Sequence, residues 1–290
     1  MKHLFKIRIF LLLPAFFFIS LQPFQAYAGG IKMMGITQIF TAKFLLANFI
    51  IGNVVAWSMG AYPRSFEQTP YTQEEQEQIR ELREEIRTYP DEVDPLQQLG
   101  LLYFSHNDLD KAKTVLENAL TIDPNHAESL AVWGANEAKS AGAMWDFTFG
   151  IWKLMRLDNA IEGLNRAVEL KPDNFNVRLF RLNTLEALKN LRDSLPYAFA
   201  DERWYLEKTG SNPQYLPDNV HLEFLDVLTR LYLVKCKIAD DEEKGESQRR
   251  ALDYFNRLKR LPVSKDRKEP RIRNITERFS EQNIPFKIID

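Results

Sequence analysis

The feature that most constrains this chain is a spaced pattern of large and small residues between positions 93 and 126. With Val93 as position 1 of a 34-residue unit, Leu96, Leu99, Gly100, Tyr103, Ala112, Leu116, Ala119 and Pro124 fall at positions 4, 7, 8, 11, 20, 24, 27 and 32. The order is large, large, small, large, then small, large, small, proline. Two antiparallel helices need that order: Gly100, Ala112 and Ala119 permit close approach, the larger side chains fill the gap, and Pro124 stops the second helix. One such hairpin cannot bury its apolar face alone. The pattern therefore predicts a stack of similar pairs, an all-α solenoid with insertions, over residues 93–262.

The next unit begins in frame at Ala127, with Leu130, Trp133 and Gly134 at positions 4, 7 and 8. Counting back from Pro172 at position 32, however, places Ala167, Leu164 and Ala160 at 27, 24 and 20 and puts the start at 141. The offset between 127 and 141 is a 14-residue insertion between the two helices of this pair. It contains the stretch AGAMWDFTFGIWKL, which carries Trp145, Phe147, Phe149 and Trp152. Two readings stay open: the aromatics extend the helices and cap the core, or they stand out as a binding surface, as insertions in stacked repeats often do. Later units are degenerate. Residues 175–190 and 193–208 read as a helix pair with Pro196 in a first turn or kink, and 220–236 and 246–261 as another with a long connection around Asp240 to Gly245. Residues 271–281 read as a terminal capping helix.

From Val93 onward the chain resembles bacterial exported tetratricopeptide-repeat (TPR) proteins. The eight positions above carry the resemblance most specifically; AVWGANEAKSAG, the aromatic insertion, AIEGLNRAVELKPDNFNVRLFRLNTL and DERWYLEK extend it over residues 127–209. The resemblance implies a TPR-like α-solenoid with no catalysis of its own, which holds a protein or peptide in the groove lined by the first helix of each pair. The family's ligand-facing positions 2, 5, 9, 12 and 13 fall on Asp94, Gln97, Leu101, Phe104 and Ser105, and in the next unit on Glu128, Ala131, Ala135, Ala138 and Lys139. Chaperone-binding members hold a terminal carboxylate with a Lys and Asn clamp at such positions. Gln97 and Leu101 cannot supply it, and Leu101, Phe104 and the three alanines imply a more apolar groove.

The flanks carry different signals. Lys2, Lys6 and Arg8 precede the apolar run IFLLLPAFFFISL, and Ala26-Tyr27-Ala28 then offers small residues before Gly-Gly. Residues 1–28 read as a secretory signal peptide, with an uncleaved anchor as the alternative. Residues 29–63 hold a second apolar segment, in which Phe44 to Pro63 has no charge. That length suits a bilayer span with Trp57 and Tyr62 at an interface, yet Asn48 and Asn53 would then sit in hydrocarbon, so membrane insertion and burial against protein both remain. Residues 64–92 form an acidic helix and linker: between 64 and 98, ten acids face four bases. Residues 263–290 form a basic capping segment, and between 249 and 278 eleven bases face four acids. Solvated helix faces account for both runs, with an anionic partner as the alternative.

A net charge of -2 argues against a globally basic nucleic-acid binder, and a lone cysteine, Cys236, excludes an internal disulfide. His3, His106, His126 and His221 lack metal-ligand spacing, and no catalytic or nucleotide-binding motif occurs. The sequence thus predicts no catalytic residue, no metal and no cofactor. Two functions fit: a scaffold binding a protein or peptide in the cell envelope, periplasmic or membrane-associated, or a lipid- or small-solute-binding accessory of an envelope transport system. Oligomeric state is left open.

Overall fold

Helix α1 (Gln73–Thr88) shows how directly local sequence sets the elements. Thr72 accepts a hydrogen bond from the Glu75 amide while the Glu75 carboxylate accepts from the Thr72 amide, a reciprocal cap that satisfies two otherwise orphaned donors. The structure, a computed structural model, describes residues 65–144, 151–188, 194–212 and 214–285, with Lys43, Leu46, Ala47, Ile50, Ile51 and Val54. The chain divides into two units, Met1–Ile50 and Ile51–Asp290. In the first, Lys43, Leu46, Ala47 and Ile50 are helical and exposed. The signal-peptide expectation for residues 1–28 lies outside the described residues, as does most of the uncharged run 44–63. Among the described residues no helix is long and apolar enough to cross a membrane.

In the second unit α1 is followed by α2 (Val93–Ser105), α3 (Leu109–Ile122), α4 (Ala127–Ala143), α5 (Ile151–Leu170), α6 (Phe175–Ala187), α7 (Leu195–Ser211), α8 (Asp218–Ile238), α9 (Asp241–Arg260) and α10 (Lys265–Glu281). Each even-numbered helix from α2 to α8 packs on its successor, and α2, α4, α6, α8 and α10 also touch one another in order. Described residues are all helix and connection, without a strand. The result is a TPR-like solenoid of helix pairs whose first helices form the inner layer.

Close approach follows the pattern of small residues. Ala112, Leu116, Ala119, Ala160, Leu164 and Ala167 are fully buried. A side chain added at Gly134 would meet the Ala160 carbonyl at 2.8 Å, so only glycine lets α4 and α5 come so near. The 14 inserted residues are divided between helix and connection. α4 has 17 residues against 13 in α2, and α5 has 20 against 14 in α3. Four inserted residues thus lengthen the first helix and six the second, and residues 145–150 lie outside the described residues.

One expectation is corrected. Asp240 to Gly245 is not a long connection but the start of α9, whose first turn follows the α8 end almost at once. Asp240 accepts a hydrogen bond from the Glu243 amide, and Asp241, Glu242 and Glu243 occupy the first turn, where the helix dipole favours negative charge. The acidic run is a helix start.

Two polar networks lock the later pairs. Asp201 is fully buried and receives Arg178 at 2.7 Å and Arg181 at 2.8 and 2.6 Å, tying α6 to α7. Buried Glu202 accepts the hydroxyls of Tyr232 at 2.9 Å and Tyr254 at 2.5 Å, tying α7 to α8 and α9. Loss of solvent, and then the Glu202 carboxylate, push the pKa of both tyrosines well above the usual range, so they stay protonated donors.

Candidate functional site

The inner layer has two chemically distinct stretches. The first is centred on α4, whose inward positions are alanine. Ala131, Ala135 and Ala138 are 0%, 5% and 6% exposed. Large side chains from the neighbouring first helices pack around this small-residue face. Phe104 of α2 meets Phe180 of α6 edge-on, with ring centroids 6.1 Å apart, and both pack against the apolar cluster holding Val132. Leu101 joins the same cluster, and Phe180 also reaches the cluster around Ala127 and Ala131.

Lys139 closes one end of this stretch. Its ammonium lies 5.0 Å from the ring centres of both Phe66 and Phe104 and donates to the Asn107 side chain. Burial pushes its pKa down. Glu128 closes the other end, accepting two 2.9 Å bonds from Lys171 and one of 2.8 Å from Asn174. Desolvation pushes Glu128 up, but the bonds from Lys171 and the charges nearby outweigh it, and its pKa is lowered overall.

The ten expected groove residues therefore separate. Asp94 and Ser105 are exposed and Gln97 half-buried, open to a partner at the first pair. Leu101, Phe104, Glu128 and Lys139 are engaged within the fold, and the three alanines are covered. Of the insertion aromatics, Trp152 is 52% exposed near the start of α5, while Trp145, Phe147 and Phe149 lie outside the described residues.

The second stretch runs over α6, α8 and α10 and is charged. Glu186 is buried, yet its carboxylate receives Arg230 of α8 and, at 3.1 Å, Arg278 of α10. Arg230 also reaches Asn183 at 2.9 Å and Asp226 at 3.3 Å, and Arg271 pairs with Glu223. Loss of solvent, aided by Asp226, raises the Glu223 pKa despite Arg271. Beside this set a cleft of about 400 Å³ opens between α8 and α10, lined by Leu233, Val234, Lys237, Asn274 and Arg278 among others. Such a surface can accept polar and charged groups of a partner.

Residues 93–126 match the tetratricopeptide repeat family. The match covers α2, α3 and the turn after them, and the stack of further pairs has the same TPR-like architecture. Comparison with curated protein sequences finds no significant match. In TPR numbering the second stretch could have been found. Pro172 at position 32 makes Phe175 position 1 of the next unit, so Asn183 and Glu186 take the ligand-facing positions 9 and 12. Arg230 and Arg278 carry no such mark, since α8 and α10 are out of frame. His106 and His126 hold structural bonds: His106 lies 3.0 Å from Glu75, and His126 caps α4 by accepting from the Ser129 amide. Among the described residues no group of three or more His, Cys, Asp or Glu is placed to hold a metal ion.

Proposed function

We propose that this chain is a non-catalytic TPR-like scaffold that binds a protein or peptide partner in the cell envelope. The observation that carries the reading is the inner layer formed by successive first helices, with Asp94, Gln97 and Ser105 open at its first pair and a polar surface further along. TPR domains commonly mediate protein–protein contacts, and stacked pairs supply an extended surface for them. The envelope location rests on the basic, apolar and small-residue segments in order through residues 2–28. The rival, a lipid- or small-solute-binding accessory, needs an enclosing apolar wall, and Trp152 stands 52% exposed instead.

Photo-crosslinking side chains placed at Gln97 and Ser105, with Glu117 on the outer helix α3 as comparison, test the scaffold reading in intact cells. A discrete adduct from the inner positions and none from Glu117 is expected; the same adducts from all three, or none, would remove the reading. Location is tested separately. In a Cys236→Ala background, a Lys265→Cys label should react with a membrane-impermeant maleimide without opening the inner membrane.

A further inference from the structure

Ahead of α1 the chain makes a strap. Residues 65–71 are not helical, and they cross the α2–α3 turn, His106 to Asp108, before α1 begins. Each residue of that turn grips them. The Thr69 amide donates to the His106 carbonyl at 3.0 Å, and the Asn107 side chain donates to the Glu67 carbonyl at 2.6 Å. Asp108 accepts from the Gln68 side chain at 2.9 Å and from the Tyr71 hydroxyl at 3.0 Å. At the far end Phe66 reaches α4, where a side chain at Gly142 would sit 3.8 Å from its ring and the Lys139 ammonium lies 5.0 Å from its centre. That ammonium is equally close to Phe104 of the inner layer.

Two properties separate this contact from ordinary packing. The turn keeps its shape by its own bonds: the Asn107 amide donates to the Phe104 carbonyl, the Asp108 amide donates to the Tyr103 carbonyl, and Asn107 holds the left-handed φ of 61°. The strap, by contrast, is lightly held. Of residues 65–70 only Phe66 is half-buried and the rest are exposed, and the bonds through the Gln68, Thr69 and Asn107 side chains lie at the surface, where water can replace them. Glu67 and Thr69 are bonded through main-chain groups, a carbonyl and an amide. The turn therefore reads an extended backbone more than one sequence.

We infer that the α2–α3 turn and Lys139 form a receptor for an extended partner segment carrying an aromatic residue, and that residues 66–71 are the chain's own occupant, a strap that closes this end of the inner layer until a partner replaces it. This deepens the partner-binding reading and rests on it. The strap sets out the pattern such a segment follows. An aromatic ring meets Lys139, the next carbonyl meets Asn107, the amide three residues on meets the His106 carbonyl, and a hydroxyl five residues on meets Asp108. Because the strap is tethered beside its site, it competes at high effective concentration, and a free segment enters readily only when the strap is weakened.

A fluorescent peptide of residues 64–72 is titrated into the full-length chain and into its Phe66→Ala variant, with binding read as anisotropy. Saturable binding to Phe66→Ala, about tenfold or more tighter than to the unaltered chain, is expected. Adding Asn107→Gly, which tolerates the left-handed turn but removes the donor to the carbonyl, should weaken the peptide about tenfold. Thr69→Pro removes the amide bonded to His106, loosens the strap by a different route, and must admit the peptide as Phe66→Ala does. Equal binding to altered and unaltered chains, or none to either strap variant while the helical circular dichroism spectrum is unchanged, overturns the inference. In intact cells Phe66→Ala should raise the Ser105 photo-adduct several-fold. An unchanged adduct overturns the strap alone and leaves the partner-binding reading, whereas no adduct in either chain removes both.

Discussion

Around α4 the inner layer is apolar, with Phe104, Phe180 and Leu101 gathered beside Val132, whereas from α6 to α10 it is Glu186 held by Arg230 and Arg278. Both stretches sit on the same kind of helix pair, but they are held together by different physics. In the first, small residues let aromatic side chains from the flanking helices approach, and stability comes from apolar area removed from water. In the second, each buried charge loses its hydration and recovers it only through its partners, so the surface is stable while every partner remains. A helical repeat can therefore keep its backbone spacing and change the chemistry of its inner face from one pair to the next.

The comparison can be broken most severely on its charged side. Asp201→Ala would leave Arg178 and Arg181 without their shared carboxylate, and a loss of about 3–5 kcal/mol is expected in urea unfolding. On the apolar side, Phe180→Ala removes a half-buried ring from two clusters and should cost about 2 kcal/mol, changing little between low and high salt. Glu186→Ala should cost about 1–2 kcal/mol, because Asp226 and Asn183 still receive Arg230 and Arg278 is partly solvated. If Phe180→Ala proves as salt-sensitive as Glu186→Ala, the division into two kinds of surface is wrong.

The smallest effect sharpens the comparison through pH. Glu75 is lowered from its ordinary value to about 2, first by the Thr72 amide and then by His106. A lowered carboxylate pKa stabilises the fold above the ordinary value of 4.5, and that contribution is lost as pH falls toward about 2. Glu75→Gln should therefore flatten the fall in urea midpoint between neutral pH and pH near 3. Glu223, raised by burial, acts in the opposite sense: its protonated form is favoured in the fold, so mild acid does not release it.

Much of the fold was legible, and the reasons for the exceptions are specific. The eight spaced positions from Leu96 to Pro124 describe contacts within one hairpin, and α2 and α3 follow them closely. Thr72 and Glu75 likewise mark the start of α1 by local chemistry alone. The insertion was countable from the shift in frame, yet its division between helix and connection was not, since AGA and IWKLMR carry no interrupting residue. Asp240 to Gly245 misled because an acidic run with a glycine suits a turn as well as a helix start. The inner surface was harder still. Ala131 is covered with the help of Phe180, and Ala138 with the help of Leu157 and Leu188, all from other helices, and one partner of Glu186 lies 92 positions away at Arg278.

The Phe104–Phe180 contact joins α2 to α6 across α4, and the Glu186–Arg278 pair joins α6 to α10 across α8. Stacked repeats are commonly treated as a row in which each unit feels only the next, so that ends fray and the array melts in steps. Two bridges that each skip a unit, and share α6 as a common anchor, break that independence. Heat or denaturant should then meet the stack as one cooperative body, with α6 the place where a single defect is felt at both ends.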